Sequence, residues 1–269
     1  MPKSAGFEEG DQVVVVGGWG DETCRRHEGN TQICAHGKWP GFGPYGGYAE
    51  YVPVPVQYLI KIDKRYKLKA EELAPLTDAG LTPYRGIKKL RDAGALGPDR
   101  VLAVFGVGGL GTYAIQYANL LGGGATVVAF GRNAEKLEAA KELGADHVID
   151  IKGKSLDDIR KELVRAIGNC AGAEEMIRLG FGLLSVGAHY SSVGLVGDRI
   201  DIPLFPFVAR EYTYHGSFWG NYNDLSEVVA LVEQGKVRHT VKPIRFEEIN
   251  ETLDLLRAGD VVGRAVVKY

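Results

Sequence analysis

Between Gly18 and Trp39 the chain reads GWGDETCRRHEGNTQICAHGKW, a segment that concentrates metal-binding side chains. It holds two of the three cysteines, Cys24 and Cys34, and two of the six histidines, His27 and His36, with acids close by. Thiolate, imidazole and carboxylate are the ligand types of zinc. Two cysteines and a histidine are not by themselves a specific metal signature, and the segment also reads as a polar loop carrying two thiols. A Cys24–Cys34 disulfide is the weaker alternative in a reducing compartment. A second segment, VFGVGGLG, places Gly106, Gly108 and Gly111 in a G-x-G-x-x-G pattern, with Gly109 and Leu110 between. The first glycine permits a tight turn, the second lets backbone approach a pyrophosphate, and the third lets helix pack on strand. The chemistry is dinucleotide binding at a helix N-terminus.

That pattern carries weight only if a strand precedes it and a helix follows. RVLAVFG (100–106) is a buried-type strand, and a helix is expected over 111–121. ATVVAF (125–130) is the next strand. Asn133 caps the following helix and Gly144 ends it. HVID (147–150) is a strand, and SLDDIRKELVRAI is a helix with Ser155 and Asp158 as its cap and Leu156, Ile159, Leu163 and Ile167 on one face. The alternation predicts an α/β fold, a parallel sheet covered by helices on both sides. One strand of a doubly wound sheet is missing from the pattern near Gly168–Gly172, where only GNCAG stands. Before this region, DQVVVV (11–16), GGYAEYVPVP (46–55) and YLIKI (58–62) read as short strands, the second confined to an edge by its prolines. Helical texture starts at Glu71. Two amphipathic helices, 225–234 and 247–258, and a strand, RAVVKY, close the chain.

At the end of the second strand of such a unit an acid usually accepts from the ribose hydroxyls. Gly131 stands there instead, followed by Arg132. Without the carboxylate a 2′-phosphate is not repelled, and arginine pairs well with phosphate, so NADP(H) is expected over NAD(H). Arg132 also reads as a solvated residue at a helix start, with loose cofactor choice.

The 269 residues are 45% hydrophobic and 25% charged with a net charge of −2, which argues against a general affinity for nucleic acid or acidic lipid. No run approaches the roughly 18 apolar residues of a membrane span. The polar start lacks a signal-peptide core, and three cysteines do not make a disulfide scaffold, so a cytoplasmic protein is expected.

Together GWGDETCRRHEGNTQICAHGKWPGF, GGYAEYV, APLTDAGLTPYRGI, VFGVGGLGTYAIQYA, EKLEAAKELGADHVID and GRAVV resemble the medium-chain dehydrogenase/reductase superfamily, within it the zinc-dependent alcohol dehydrogenases of archaeal and bacterial type. The resemblance extends over nearly the whole chain. It implies a Rossmann doubly wound domain at 81–221 inserted into a GroES-like catalytic domain, whose segments are 1–80, with a structural zinc lobe at 18–39, and 222–269. It implies hydride transfer between NAD or NADP and an alcohol, aldehyde or ketone, with zinc as Lewis acid. It also implies a homo-oligomer, dimer or tetramer, formed through an edge strand of the Rossmann domain.

Site roles follow from the same resemblance. Asp78, in APLTDAGLT, aligns with the third ligand of the catalytic zinc, though Asp there also suits a helix N-cap. Thr82 is expected near the nicotinamide and Arg264 at the pyrophosphate; a helix-side hydroxyl and a solvated arginine are the plainer readings. The lobe's four-cysteine set becomes Asp21, Cys24, His27 and Cys34, with histidine in place of one cysteine, one residue fewer before Cys34, and His36 as rival. The family's Cys motif and Gly-His-Glu motif for the catalytic zinc do not occur here and are expected upstream of Met1. Three functions therefore compete. One is a zinc alcohol dehydrogenase impaired in this chain, the second a truncated protein that binds dinucleotide without catalysis. The third, a zinc-independent quinone or enoyl reductase, is disfavoured by the cysteine lobe. Edges left open by truncation predict poor stability for the isolated chain.

Overall fold

The computed structural model describes residues 6–21, 29–43, 45–167, 182–194 and 201–269. The chain divides into two compact units. The first comprises Met1–Thr82 and Phe218–Tyr269, the second Pro83–Ser217.

In the first unit β1 (Val13–Val15) runs antiparallel to β2 (Leu59–Lys61), with Val14 opposite Ile60. The triple valine and its β-branched neighbours favour extended backbone. A short α1 (Ala70–Leu73) leads into a 3₁₀ turn, Ala74–Thr77, and then to α2 (Leu81–Asp92), which passes into the second unit after Thr82. The helical texture from Glu71 is thus interrupted. Pro75 sits at the start of the 3₁₀ turn, and the backbone at Asp78 leaves the helical region with φ −136° and ψ −67°. In the second segment of this unit, α7 (Tyr222–Glu233), β8 (Val241–Ile244), α8 (Ile249–Ala258) and β9 (Arg264–Val267) follow in order, and β8 pairs in parallel with β9. Trp219 joins the two segments. Its indole N–H donates to the Thr77 carbonyl at 2.9 Å, and its ring lies where a Cβ on Gly17 would stand, 2.2 Å away.

One strand expectation fails. Residues 46–55 are irregular and exposed, with no ladder. Alternation makes a strand only where a neighbour accepts its backbone hydrogen bonds, and no described strand lies beside it.

The second unit has the alternating build. β3 (Val101–Phe105), β4 (Thr126–Gly131) and β5 (His147–Asp150) form a parallel sheet in that order. Between them run α3 (Gly111–Leu121) and α4 (Ala134–Glu142), and α5 (Leu156–Ile167) follows. Asn133 caps α4 through the Lys136 amide, and Gly144 turns the chain out of it at φ +104°. Val128, Phe130 and Ile149 of the sheet pack with Ile159 and Leu163 of α5 and with Leu183. The amphipathic spacing of α5 therefore meets the sheet face it requires. A second parallel pair, β6 (His189–Ser192) with β7 (Thr213–Gly216), stands apart from the three-stranded sheet among the described residues. Its Tyr190 and Tyr214 pack with Leu184, Tyr212 and Phe207, the last on α6 (Leu204–Ala209). The stretch Gly168–Gly172, where a strand is missing from the sequence pattern, lies outside the described residues.

Candidate functional site

The turn between β3 and α3 is built for close approach. Gly106 has φ +86°, a region that glycine adopts without cost, and its N–H donates to the Phe130 carbonyl of β4 at 2.9 Å. A Cβ on Gly111 would lie 1.9 Å from the Gly106 carbonyl oxygen, so only glycine lets α3 start there. Among the described residues nothing stands within 4 Å of the place a Cβ on Gly108 would take, which leaves its backbone open to a ligand. Leu110 precedes the first turn of α3, and no side chain caps it. An open turn at an uncapped helix N-terminus suits a phosphate group. The residues present fit a dinucleotide.

At the far end of β4, Gly131 is buried and pairs with Asp150 of β5. No carboxylate extends from position 131, and Asp150 accepts from the Lys152 amide at 2.9 Å in its own turn. Arg132 is exposed beside it.

Within the first unit Asp78, Thr82 and Arg264 meet. The Arg264 guanidinium donates to Asp78 Oδ2 at 2.6 Å, and the Thr82 hydroxyl donates to Oδ1 at 3.2 Å. The Thr82 amide donates to the Asp78 carbonyl at 2.8 Å, which starts α2 on this residue. Thr82 is buried, while the carboxylate and guanidinium are partly exposed. The sequence places these residues 186 positions apart at the extremes, and only the return of β9 brings Arg264 to Asp78. Both carboxylate oxygens are engaged by side chains. Among the described residues no three His, Cys, Asp or Glu side chains gather as a metal site. In this structure the Asp78 charge is met by Arg264.

The lobe differs. Trp19 and Lys38 exchange backbone hydrogen bonds of 2.9 and 2.7 Å at its base, and Trp19 stacks near Tyr58. Cys34 is 3% exposed, and the Asp21 amide is directed at its sulfur at 3.4 Å. A sheltered sulfur that receives an N–H suits a thiolate ligand. His36, the rival ligand, is exposed. Cys24 and His27 lie outside the described residues. Of the expected ligand set the described residues thus show Cys34 sheltered, with the Asp21 backbone amide at its sulfur.

Sequence reasoning did not anticipate the Arg264–Asp78 ion pair, nor a contact between His189 and His215 across β6 and β7. The second was open to the period-two rule once β6 and β7 were paired in parallel.

Comparison with known proteins agrees with this geometry. Residues 1–64 match the alcohol dehydrogenase GroES-like domain family, and residues 109–234 match the zinc-binding dehydrogenase family. An NAD-dependent alcohol dehydrogenase of Sulfurisphaera tokodaii is 36% identical, over 97% of this chain and 76% of its own length. A D-arabinose 1-dehydrogenase (NADP(+)) of Saccharolobus solfataricus is 34% identical, over 98% and 76%. The crystal structure of the alcohol dehydrogenase from Aeropyrum pernix superposes with a TM-score of 0.88 at 35% identity, covering 98% of this chain and 77% of that one. The fold and the glycine turn define a medium-chain dehydrogenase/reductase. The chain belongs to the zinc-type, alcohol dehydrogenase branch of that family and is an oxidoreductase. It spans about three quarters of the length of these relatives. No helix among the described residues is long and apolar enough to cross a membrane.

Proposed function

We propose that this oxidoreductase transfers hydride reversibly between NAD(P) and a small alcohol, aldehyde or ketone, and that it prefers NADP(H). The open turn at Gly108, ahead of the uncapped α3, carries the reading. The dinucleotide, when bound, supplies the hydride acceptor or donor. The chain's own part is to hold the pyrophosphate on the backbone of Gly106–Gly111 and to leave position 131 free of negative charge. Arg132, exposed beside it, pairs with the 2′-phosphate. Asp78 and Thr82 stand together at the start of α2, with the Asp78 charge met by Arg264. The relatives include one named for NAD and one for NADP, so the preference rests on Gly131 and Arg132.

Turnover is proposed to be weak, because both carboxylate oxygens of Asp78, the position expected to ligate a reacting zinc, are engaged by side chains. A protein that binds dinucleotide and does not catalyse is the second reading, favoured by the engagement of both Asp78 oxygens. Fluorescence titration with NADPH and NADH, followed by turnover assays with primary and secondary alcohols, separates these. Tighter NADPH binding is expected; tighter NADH binding refutes the preference. Alcohol oxidation at rates usual for enzymes, above about 1 per second, refutes the impairment.

The lobe is proposed to hold a structural zinc through Asp21, Cys24, His27 and Cys34. Metal analysis of the purified chain should find zinc that the Cys34→Ser variant loses. A zinc-free parent protein rules the site out.

A further inference from the structure

Two histidines outside these sites meet across β6 and β7. The register sets His189 opposite Thr213 and Ser191 opposite His215, so these four side chains share one face of the pair. His189 Nδ1 and His215 Nε2 are 3.0 Å apart, and the two rings are nearly parallel. One ring donates N–H and the other accepts with a bare lone pair, so the bond exists only while at least one imidazole is neutral. Helix α2 rests on the same face. A Cβ on its Gly86 would come 2.9 Å from Val193 and 3.3 Å from the Ser191 hydroxyl. From that helix Lys89 donates its ammonium to the Gly216 carbonyl, at 2.6 Å, one residue beyond His215. Among the described residues the titratable groups that act on His215 are both basic, His189 on β6 and Lys89 on α2. The hydroxyls of Ser191 and Thr213 add no charge.

We propose that His189 and His215 form a proton-operated clasp. With at most one imidazolium, the clasp joins β6 to β7. With two, three positive charges crowd one end of β7, the ring–ring bond is lost, and that end of the strand opens. The position gives the clasp leverage. β7 ends at Gly216, and the second unit ends at Ser217, where the chain leaves it. The other crossing follows Thr82 in the first turn of α2, the helix that carries Lys89. The clasp and the Lys89–Gly216 bond thus secure, inside the second unit, both segments that lead out of it.

The direction of the pH effect follows. Burial first, then His189 and Lys89, hold the His215 imidazole below its ordinary pKa. The folded chain binds fewer protons there than the unfolded chain. The stabilisation is present above the ordinary histidine pKa and is lost as pH falls through and below it.

Amide hydrogen exchange of the whole chain tests this, read as protection factors so that the intrinsic pH dependence cancels. Measurements at pH about 8 and about 5.5 lie on either side of the usual histidine pKa. On acidification the wild type should lose about tenfold protection in 189–192 and 213–216, roughly the change in proton binding across one pH unit below the ordinary histidine pKa, while β3, β4 and β5 keep theirs. His189→Gln retains a hydrogen-bonding side chain that takes no proton, and its loss should be several-fold smaller. Equal losses in both proteins, or none in the wild type, overturn the clasp. If His189→Gln does not fold, NMR titration of the wild-type imidazoles decides. Protection that falls with uptake of the second proton supports the clasp, and two imidazoles that charge without any fall overturn it.

Discussion

Gly108 and Gly111 stand three residues apart in one motif, and their surroundings make opposite demands. At Gly111 an added Cβ would strike the Gly106 carbonyl oxygen, an atom of the backbone that cannot turn aside. Gly111→Ala should therefore cost roughly 1–3 kcal/mol of stability as α3 is pushed off β3, and should weaken dinucleotide binding as a consequence. At Gly108 a methyl group meets nothing among the described residues. Gly108→Ala should leave the denaturant midpoint unchanged and still lower dinucleotide affinity roughly tenfold, because the methyl occupies space the pyrophosphate needs. Urea melts beside NADPH titrations make the comparison. Equal losses of stability in both variants would show that the turn is structural only. Spacing alone marks all three glycines without telling these roles apart. The distinction comes from what each Cβ would touch, and that depends on where β3 and β4 lie.

The elements themselves were legible wherever local pattern and tertiary environment agree. Ser155 and Asp158 at the start of α5, Asn133 before α4 and the run from Val101 to Phe105 carry their own signals, because caps and buried strands are specified by neighbouring residues. Residues 46–55 show the limit, since a strand also needs a partner. The meeting of Arg264 with Asp78 was hidden for a related reason: it depends on the path of β9 and not on any local spacing. Asp11 is a further case. Its carboxylate is almost fully buried beside the Lys61 ammonium at 2.5 Å, accepts from the Glu8 amide, and meets Lys64 at 3.0 Å. These partners, Lys61 foremost, hold its pKa well below the usual carboxylate range. They also fasten the start of β1 to the end of β2, where Val13 faces Lys61. The folded chain binds fewer protons at Asp11 than the unfolded chain, so the stabilisation is full above the ordinary aspartate pKa and is lost as pH falls below it. Urea midpoints of wild type and Asp11→Asn should differ most above about pH 5 and converge below about pH 4. A gap that stays constant across that range would remove the ion pairs as its cause.

For the molecule as a whole, the surface of the second unit carries a prediction about assembly. On α6 the Phe207 ring turns inward against Tyr212, while Leu204, Phe205 and Val208 face outward, Phe205 with 82% of its surface exposed. Ile202 adds to the same edge. Three large apolar residues within five positions are more than scattered exposure explains, and such a patch gains by pairing with another apolar surface. A second copy of the chain supplies one, since a closed two-fold interface uses the same patch on both sides. We therefore expect the chain to self-associate through α6, as a dimer or as part of a tetramer. Sedimentation velocity across a range of concentrations should show the oligomer. The paired substitution Leu204→Glu with Phe205→Glu should shift it to monomer, because two charges per protomer would be buried against each other. The helix's inner face and the glycine turn are untouched by these changes, so NADPH affinity should persist in the monomer. A wild-type chain that sediments as a monomer at every concentration defeats the prediction, and so does a double variant that keeps the wild-type oligomer.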